Sequence, residues 1–285
     1  MYDKKFDPLN AKYTGNEAVV ILSIQREINN ILNSYVGWFD PFCELIQNAL
    51  DSVEKRMEKE SEMYVPQVKI IVNIQENSVT VTDNGVGFSE EEYTKFLAPN
   101  FSFKNGNTRG HKGVGATYLA YGFNYIQIAT KSPDFEAVGV MKNARKWLSD
   151  VSPAGNPKVE PDYNPVNDEM FESVDRGVSI TVKYDNTTYP KNLSWIGINK
   201  AKEWLDILRV KTGLGAIEEN SRISLDMIAI DKNGNRTQVH KQGIDYLSIT
   251  DFVSKAQNYT VIQNKMSELF SKKALIEKLN ATKKL

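Results

Sequence analysis

Apolar residues recur at three- and four-residue steps along the first third of the chain and alternate along several later stretches. From Ala18 to about Tyr35, the residues Val20, Ile24, Ile28, Ile31, Leu32 and Tyr35 keep a helical period. Gly37 and Asp40-Pro41 then punctuate the pattern, a capping side chain followed by a proline suited to a first turn, and predict a second helix running to about Glu60. On that helix Phe42, Ile46, Ala49, Leu50, Val53 and Met57 form one apolar stripe. Glu44, Asn48 and Asp51, spaced by four and then three, share a different face. By itself this polar face also suits a plain amphipathic helix with a solvated side.

Strands are predicted over Val68–Ile74 and Ser78–Thr82, joined by a tight Glu-Asn turn. The second runs straight into Asp83-Asn84-Gly85-Val86-Gly87. A short helix capped by Ser89 is expected over Glu90–Leu97. The polar, glycine-bearing stretch from Ala98 to Lys112 reads as a long functional loop, and a helix opens at Gly113-Val114-Gly115 and runs through Tyr121. Asn124–Thr130 and Phe135–Lys142 alternate as a hairpin. Pro153–Asn167 carries prolines that suit a surface excursion, and Gly177–Tyr184 reads as a further strand. The pattern changes around Asp185–Asn192, which places a domain boundary near residue 188. The second region, 189–285, reads as a helix over Trp195–Lys211, strands over Arg222–Ile230 and Arg236–Ile249 turning at Asn233-Gly234-Asn235, and an amphipathic helix over Ile262–Leu279. Residues 1 to 17, polar with Tyr2, Phe6 and Tyr13, read as an extended arm.

Composition narrows the function classes more than it names one. A chain of 285 residues with 41% hydrophobic and 25% charged positions is long enough for a sizeable core and ordinary for a globular protein. The net charge of -1 leaves nucleic-acid binding possible but unsupported by bulk electrostatics, and lysine far outnumbers arginine. Cys43 is the single cysteine, which excludes an internal disulfide and fits a reducing cytoplasm; with only His111 and His240, a zinc site of the usual ligands is excluded too. No apolar run approaches a membrane span, so no membrane partner is expected.

The candidate chemistry lies in three short motifs. An ionised Asp83 at a strand end only accepts hydrogen bonds, so it suits an amino group such as adenine's, where guanine presents an oxygen. Gly85 and Gly87 would let the backbone pass close to a flat ring, although the same loop reads equally as a plain turn. Gly113, Val114 and Gly115 at a helix start offer free N–H groups to a polyphosphate, with Lys112 adding charge. No Walker A loop and no dinucleotide glycine loop is present. Asn48 has an amide oxygen for Mg²⁺, and Glu44, one turn earlier, is placed to take a proton from water.

In this order, the helix motif Glu44–Asp51, the glycine box Asp83-x-Gly85-x-Gly87 and the Gly110-His-Lys-Gly-Val-Gly115 segment resemble the N-box, first glycine box and lid glycine box of the GHKL ATPase superfamily. That superfamily includes Hsp90, MutL, type II topoisomerases, MORC proteins and sensor histidine kinases. The likeness covers roughly residues 20 to 185 and is nearest to MORC-like and bacterial Hsp90-like members. It implies the Bergerat fold: an α+β, two-layer α/β sandwich in which a mixed, mostly antiparallel sheet is covered by helices. A smaller α/β region, transducer-like or truncated, would follow.

By the same resemblance Glu44 is the general base, Asn48 the Mg²⁺ ligand and Asp83 the adenine anchor, while Asp51 helps order the site through water. The kinase branch fits poorly, because neither histidine lies where a phosphoacceptor belongs. One departure is that Val178 follows Gly177 where hydrolysing relatives often carry threonine, leaving Thr181 as the candidate substitute. The functional expectation is Mg²⁺-dependent ATP binding with slow hydrolysis that drives lid closure and a conformational change or ATP-dependent homodimerisation, with the protein partner or client unnamed by the sequence. A non-hydrolysing ATP-gated switch and a module of a DNA-associated machine are the alternatives. Lys211, Arg236 and Lys241 are the basic residues of the second region placed to be tested against a terminal phosphate.

Overall fold

The computed structural model of the chain describes residues 17–60, 63–99, 114–151, 155–164, 166, 168–216 and 222–242. The expected arm before Glu17, the loop from Asn100 to Lys112, Gly113 and the helix expected over 262–279 lie outside them. The expected fold class is borne out: an α+β molecule in which a single eight-stranded sheet carries helices.

Two helices open the described chain. The first, α1, spans Glu17–Leu32, and the second, α2, spans Asp40–Met57 with Pro41 in its first turn. Tyr35 therefore falls in the connection rather than on α1. Asp40 does not cap α2 as expected. The cap position is Phe39, and the Asp40 carboxylate reaches back to accept the Gly37 N–H at 2.7 Å, closing the turn that feeds the helix.

Strands β1 (Gln67–Asn73) and β2 (Ser78–Asp83) form a hairpin whose turn needs Asn77 at a φ of 55°, a left-handed conformation that asparagine tolerates well. A capping box at Ser89 starts α3 (Glu90–Lys95). Then come α4 (Val114–Tyr121), the hairpin β3 (Tyr125–Ser132) and β4 (Phe135–Lys142), α5 (Ala144–Leu148) and the short β5 (Val159–Pro161). They are followed by α6 (Glu169–Ser173) and β6 (Gly177–Lys183).

The helix expected over Trp195–Lys211 is split. Leu193–Ile196 makes a 3₁₀ turn, Gly197 takes a φ of 73°, and only Ala201–Lys211 is the α-helix, α7. The hairpin β7 (Ser224–Ile230) and β8 (Arg236–Gln242) completes the described residues.

The strand order is β5-β4-β3-β6-β2-β1-β7-β8, and all neighbours are antiparallel except β1 with β7. Residues beyond the expected boundary near 188 thus extend the same sheet. They also share its core, because Trp204 of α7 is fully buried and stacks on Phe42 of α2.

Alternation along the strands decides which chemistry each sheet face receives. Val68, Ile70 and Val72 of β1, Val79 and Val81 of β2, and Val178, Ile180 and Val182 of β6 point to one face. There they meet Leu45, Ile46, Ala49, Leu50 and Val53 of α2, so the stripe read from the sequence is the side that α2 buries. Fully burying each such side chain stabilises by roughly 1.5–3 kcal/mol before entropy is charged. Among the described residues the short α6 and a small cluster of Ala129, Val166 and Phe171 cover part of the other face. Among the described residues no helix is long and apolar enough to cross a membrane.

Candidate functional site

Helix α2 is a rail with one buried side and one half-buried polar side. Glu44, Asn48 and Asp51 all lie on the half-buried side, as their spacing requires, and Ser52 follows them. Eight residues separate Glu44 from Ser52, so the two ends of this row stand about 12 Å apart along the axis. Gln47 donates to Asp51 Oδ1 at 2.7 Å and steadies the middle of the row.

At the far end of the rail, β2 delivers Asp83 onto the helix-covered face. Asp83 is 3% exposed. Oδ1 accepts from Ser52 Oγ at 2.9 Å and from the Gly85 N–H at 2.8 Å. Burial is the dominant influence and pushes the Asp83 pKa up to about 7, while the hydrogen bonds from the Gly85 N–H, Ser52 and the Val178 N–H pull it down. Among the described residues these favourable partners are neutral dipoles.

The loop after Asp83 is clamped from below. Asn84 Oδ1 accepts from the Gln67 N–H at 2.7 Å and from Tyr64 Oη at 3.0 Å, and Arg56 Nη1 donates to the Asn84 carbonyl at 2.8 Å. Arg56 is held in turn by Asp175 and Glu60, whose carboxylates offset the cost of burying the guanidinium. The two loop glycines serve the protein's own packing. A Cβ on Gly85 would collide with the Ser52 side chain and backbone, and Gly87, at a φ of 71°, lies against the Lys131 carbonyl. The sequence offered a close approach by a flat ring or a plain turn; in the structure the two glycines lie close to α2 and β3.

At the near end, Glu44 lies between the α1–α2 connection and α4. Tyr35 Oη donates to Glu44 Oε1 at 2.9 Å, and the Tyr35 ring stacks on Tyr118 of α4 with centroids 4.0 Å apart and planes within 5°. A Cβ on Gly115 would collide with Glu44 Oε2, so the first turn of α4 closes directly on the second carboxylate oxygen. Gly115 and Val114 are therefore placed beside Glu44, whereas Lys112 and Gly113 lie outside the described residues. Cys43 points away from this chemistry: its thiol donates to the Lys211 carbonyl at 3.1 Å, and burial, aided by the nearby carboxylates, pushes its pKa up to about 11.

Thr181 is not part of this constellation. Strand alternation puts Val178, not Thr181, on the Asp83 face, and Thr181 Oγ1 pairs with Thr80 Oγ1 at 2.8 Å on the opposite face of the sheet. It cannot replace a threonine missing from position 178. Of the three basic candidates, Lys211 ends α7 with its carbonyl against the Cys43 thiol, while Arg236 and Lys241 lie on the edge strand β8.

The structure adds Tyr35, Ser52, Tyr64, Asn84 and Arg56 to the predicted residues. Ser52 could have been found by extending the polar face of α2 one step. Asn84 lies inside the glycine motif itself, and Tyr35, Tyr64 and Arg56 meet the site through tertiary contacts.

No cluster of three or more His, Cys, Asp or Glu side chains stands ready for a metal among the described residues. The oxygen donors of Glu44, Asn48 and Asp51, one turn apart, suit a hard cation that takes most of its shell from phosphate and water. Comparison with known proteins identifies no relative, since neither a family model nor a curated protein matches the chain.

Proposed function

We propose that this chain binds ATP along α2 and hydrolyses it slowly with Mg²⁺, in the manner of GHKL ATPases. The observation that carries the reading is Asp83: a buried carboxylate whose partners among the described residues are neutral dipoles, hydrogen-bonded to Ser52 at one end of a helix that carries Glu44 about 12 Å away along its axis. A buried acceptor of this kind gains most from a ligand that brings a donor, and the adenine amino group is one.

In this reading Asp83 takes the adenine amino hydrogen, with Ser52 and Gly85 fixing its orientation. Asn48 would hold Mg²⁺ through its amide oxygen, and Asp51 would order the water between ion and helix. The metal supplies charge neutralisation at the phosphates. Gly115 and Val114 open α4 toward the phosphate end, and Gly113 and Lys112 precede them. Glu44 accepts a proton from the water that attacks the terminal phosphorus; the bond to the bridging oxygen breaks and ADP leaves. A cytoplasmic protein that dimerises on ATP binding fits the same reading, with Lys211, whose carbonyl accepts from the Cys43 thiol on α2, one basic residue to test.

Phosphate release by the purified chain tests the proposal. Glu44→Ala is expected to bind ATP and slow turnover ~10²–10⁴-fold, the usual contribution of a positioned base. Equal release by wild type and variant, with ATP bound by both, would leave a nucleotide-gated switch without hydrolysis.

A further inference from the structure

On the back face of the sheet, strand register gathers polar side chains around β7. Lys69 stands opposite Asp226, Gln67 opposite Ser224, and His240 of β8 faces Asp226 from the other side. Their neighbours Val68 and Leu225 point into the helix-covered core, so this polar set shares the opposite face. Lys69 is committed to Asp168 at 2.6 Å. Asp226 Oδ1 lies 2.9 Å from His240 Nδ1, and His240 Nε2 lies 3.5 Å from Ser224 Oγ.

The carboxylate decides where the protons sit. An ionised aspartate only accepts, so the Nδ1 that faces Asp226 carries the hydrogen. In the neutral imidazole Nε2 then keeps its lone pair, and the Ser224 hydroxyl faces it. Hydroxyl, imidazole and carboxylate follow in the order of a nucleophile, its base and the group that orients the base. A contact of 3.5 Å is long, as nucleophile–base contacts commonly are before a substrate binds. Asp226 opposite His240 would be a complete cross-strand pair by itself; the hydroxyl aligned on the second nitrogen goes beyond it.

We propose that Ser224 and His240 are the catalytic residues of a second site, with Asp226 as positioning residue, that cleaves small carboxylic esters by acyl transfer. The site shares no residue with the proposed nucleotide site and stands independently of it. Ser224 Oγ bonds to the ester carbonyl carbon as its proton moves to His240 Nε2. The bond from that carbon to the alcohol oxygen breaks, and the alcohol leaves with the Nε2 proton. Water then adds to the acyl carbon and gives a proton to Nε2. The bond to Oγ breaks, Oγ regains that proton, and the carboxylic acid leaves. Gln67, in register with Ser224, carries a side-chain amide suited to the carbonyl oxygen as it gains charge. Ser224 is 6% exposed and the His240 side chain 61%, so the site opens to solvent on the imidazole side.

Labelling the full chain with a fluorophosphonate, followed by peptide mass spectrometry, tests the site without nucleotide. The bond from Oγ to phosphorus forms, fluoride leaves, and the adduct is expected at Ser224 ahead of every other serine. p-Nitrophenyl acetate should be cleaved with release of nitrophenol. His240→Gln, at an exposed position that spares the core, is expected to slow both reactions ~10²–10⁴-fold, the usual contribution of a positioned base. Nitrogen-15 NMR of the neutral imidazole, assigned against His240→Gln, is expected to show the Nδ1-protonated tautomer. Asp226→Asn should shift it toward the Nε2-protonated form and slow labelling about tenfold or more. Labelling of Ser224 no faster than that of other serines, or unchanged in His240→Gln, would overturn the proposal. A wild-type His240 protonated at Nε2 would do the same, because that nitrogen has to be the base.

Discussion

Two buried carboxylates flank β2, one on each face of the sheet, and they are treated in opposite ways. Asp168 lies on the back face with its side chain 1% exposed, ion-paired to Lys69 Nζ at 2.6 Å. It also accepts from Thr82 Oγ1 at 2.5 Å and from the Met170 N–H at 2.9 Å, where it caps α6. Ser179 adds a hydroxyl to Thr82 and completes the network. Asp83, the next residue after Thr82, turns to the helix-covered face, where its partners among the described residues are dipoles. The charge on Asp168 is matched by a cation inside the fold and does structural work. Among the described residues Asp83 has neutral dipoles where Asp168 has a cation, and that difference marks the candidate site more sharply than burial alone.

The largest effect should come from breaking the matched pair. Lys69→Ala leaves Asp168 buried without its cation, and a loss of ~3–5 kcal/mol is expected in urea unfolding. A loss under 1 kcal/mol would mean that Asp168 is not compensated by Lys69, and the contrast with Asp83 would disappear.

Asp83→Asn should do the reverse. It is expected to weaken ATP binding by roughly 10- to 100-fold, the equivalent of ~1.5–3 kcal/mol. At pH 8 its stability should equal or exceed that of wild type, because the amide carries no charge to bury. Calorimetry with unchanged affinity would remove the adenine-anchor role.

A pH series sharpens the same point. With the folded Asp83 pKa at about 7, the native state keeps a proton that the unfolded chain has lost, from roughly pH 4 to pH 7. This group's contribution to stability therefore falls as pH rises across that window and is flat above it, and Asp83→Asn should lack the slope. A nucleotide that brings a donor needs the ionised form, so ATP affinity should rise about tenfold between pH 6 and pH 8, with a proton released on binding below pH 7. Binding independent of pH over this range would count against Asp83 as the acceptor.

The smallest expected change is from Ser52→Ala. Removing that hydroxyl takes away one donor that lowers the Asp83 pKa, so the midpoint of the binding profile should move to higher pH. A calorimetric pH series measures it.

What the chain determined by itself is the local grammar. The three- and four-residue rhythm of Phe42, Ile46, Ala49, Leu50 and Val53 specified α2 and its buried side, and the same rhythm displaced Glu44, Asn48 and Asp51 to the other. Alternating β-branched residues specified β1, β2 and β6, and Asp83 could be read at a strand end because the alternation stops there. Periodicity is a property of neighbours in sequence, so it needs no fold to be seen.

Pairing is not such a property, and the tertiary structure alone decided it. That β7 pairs parallel with β1, and so builds the residues past 188 into the same sheet, follows from a crossover no local pattern encodes. That Thr181 belongs to the back face follows from the register of β6 against β2, in which Val178 stands opposite Asp83. Tyr35 reaches Glu44 only because the bend after α1 folds back over α2, and Arg56 turns inward only because Asn84 and Asp175 meet it there. A side chain's role in a site is fixed by partners far away in sequence, whose positions the packed core sets all at once.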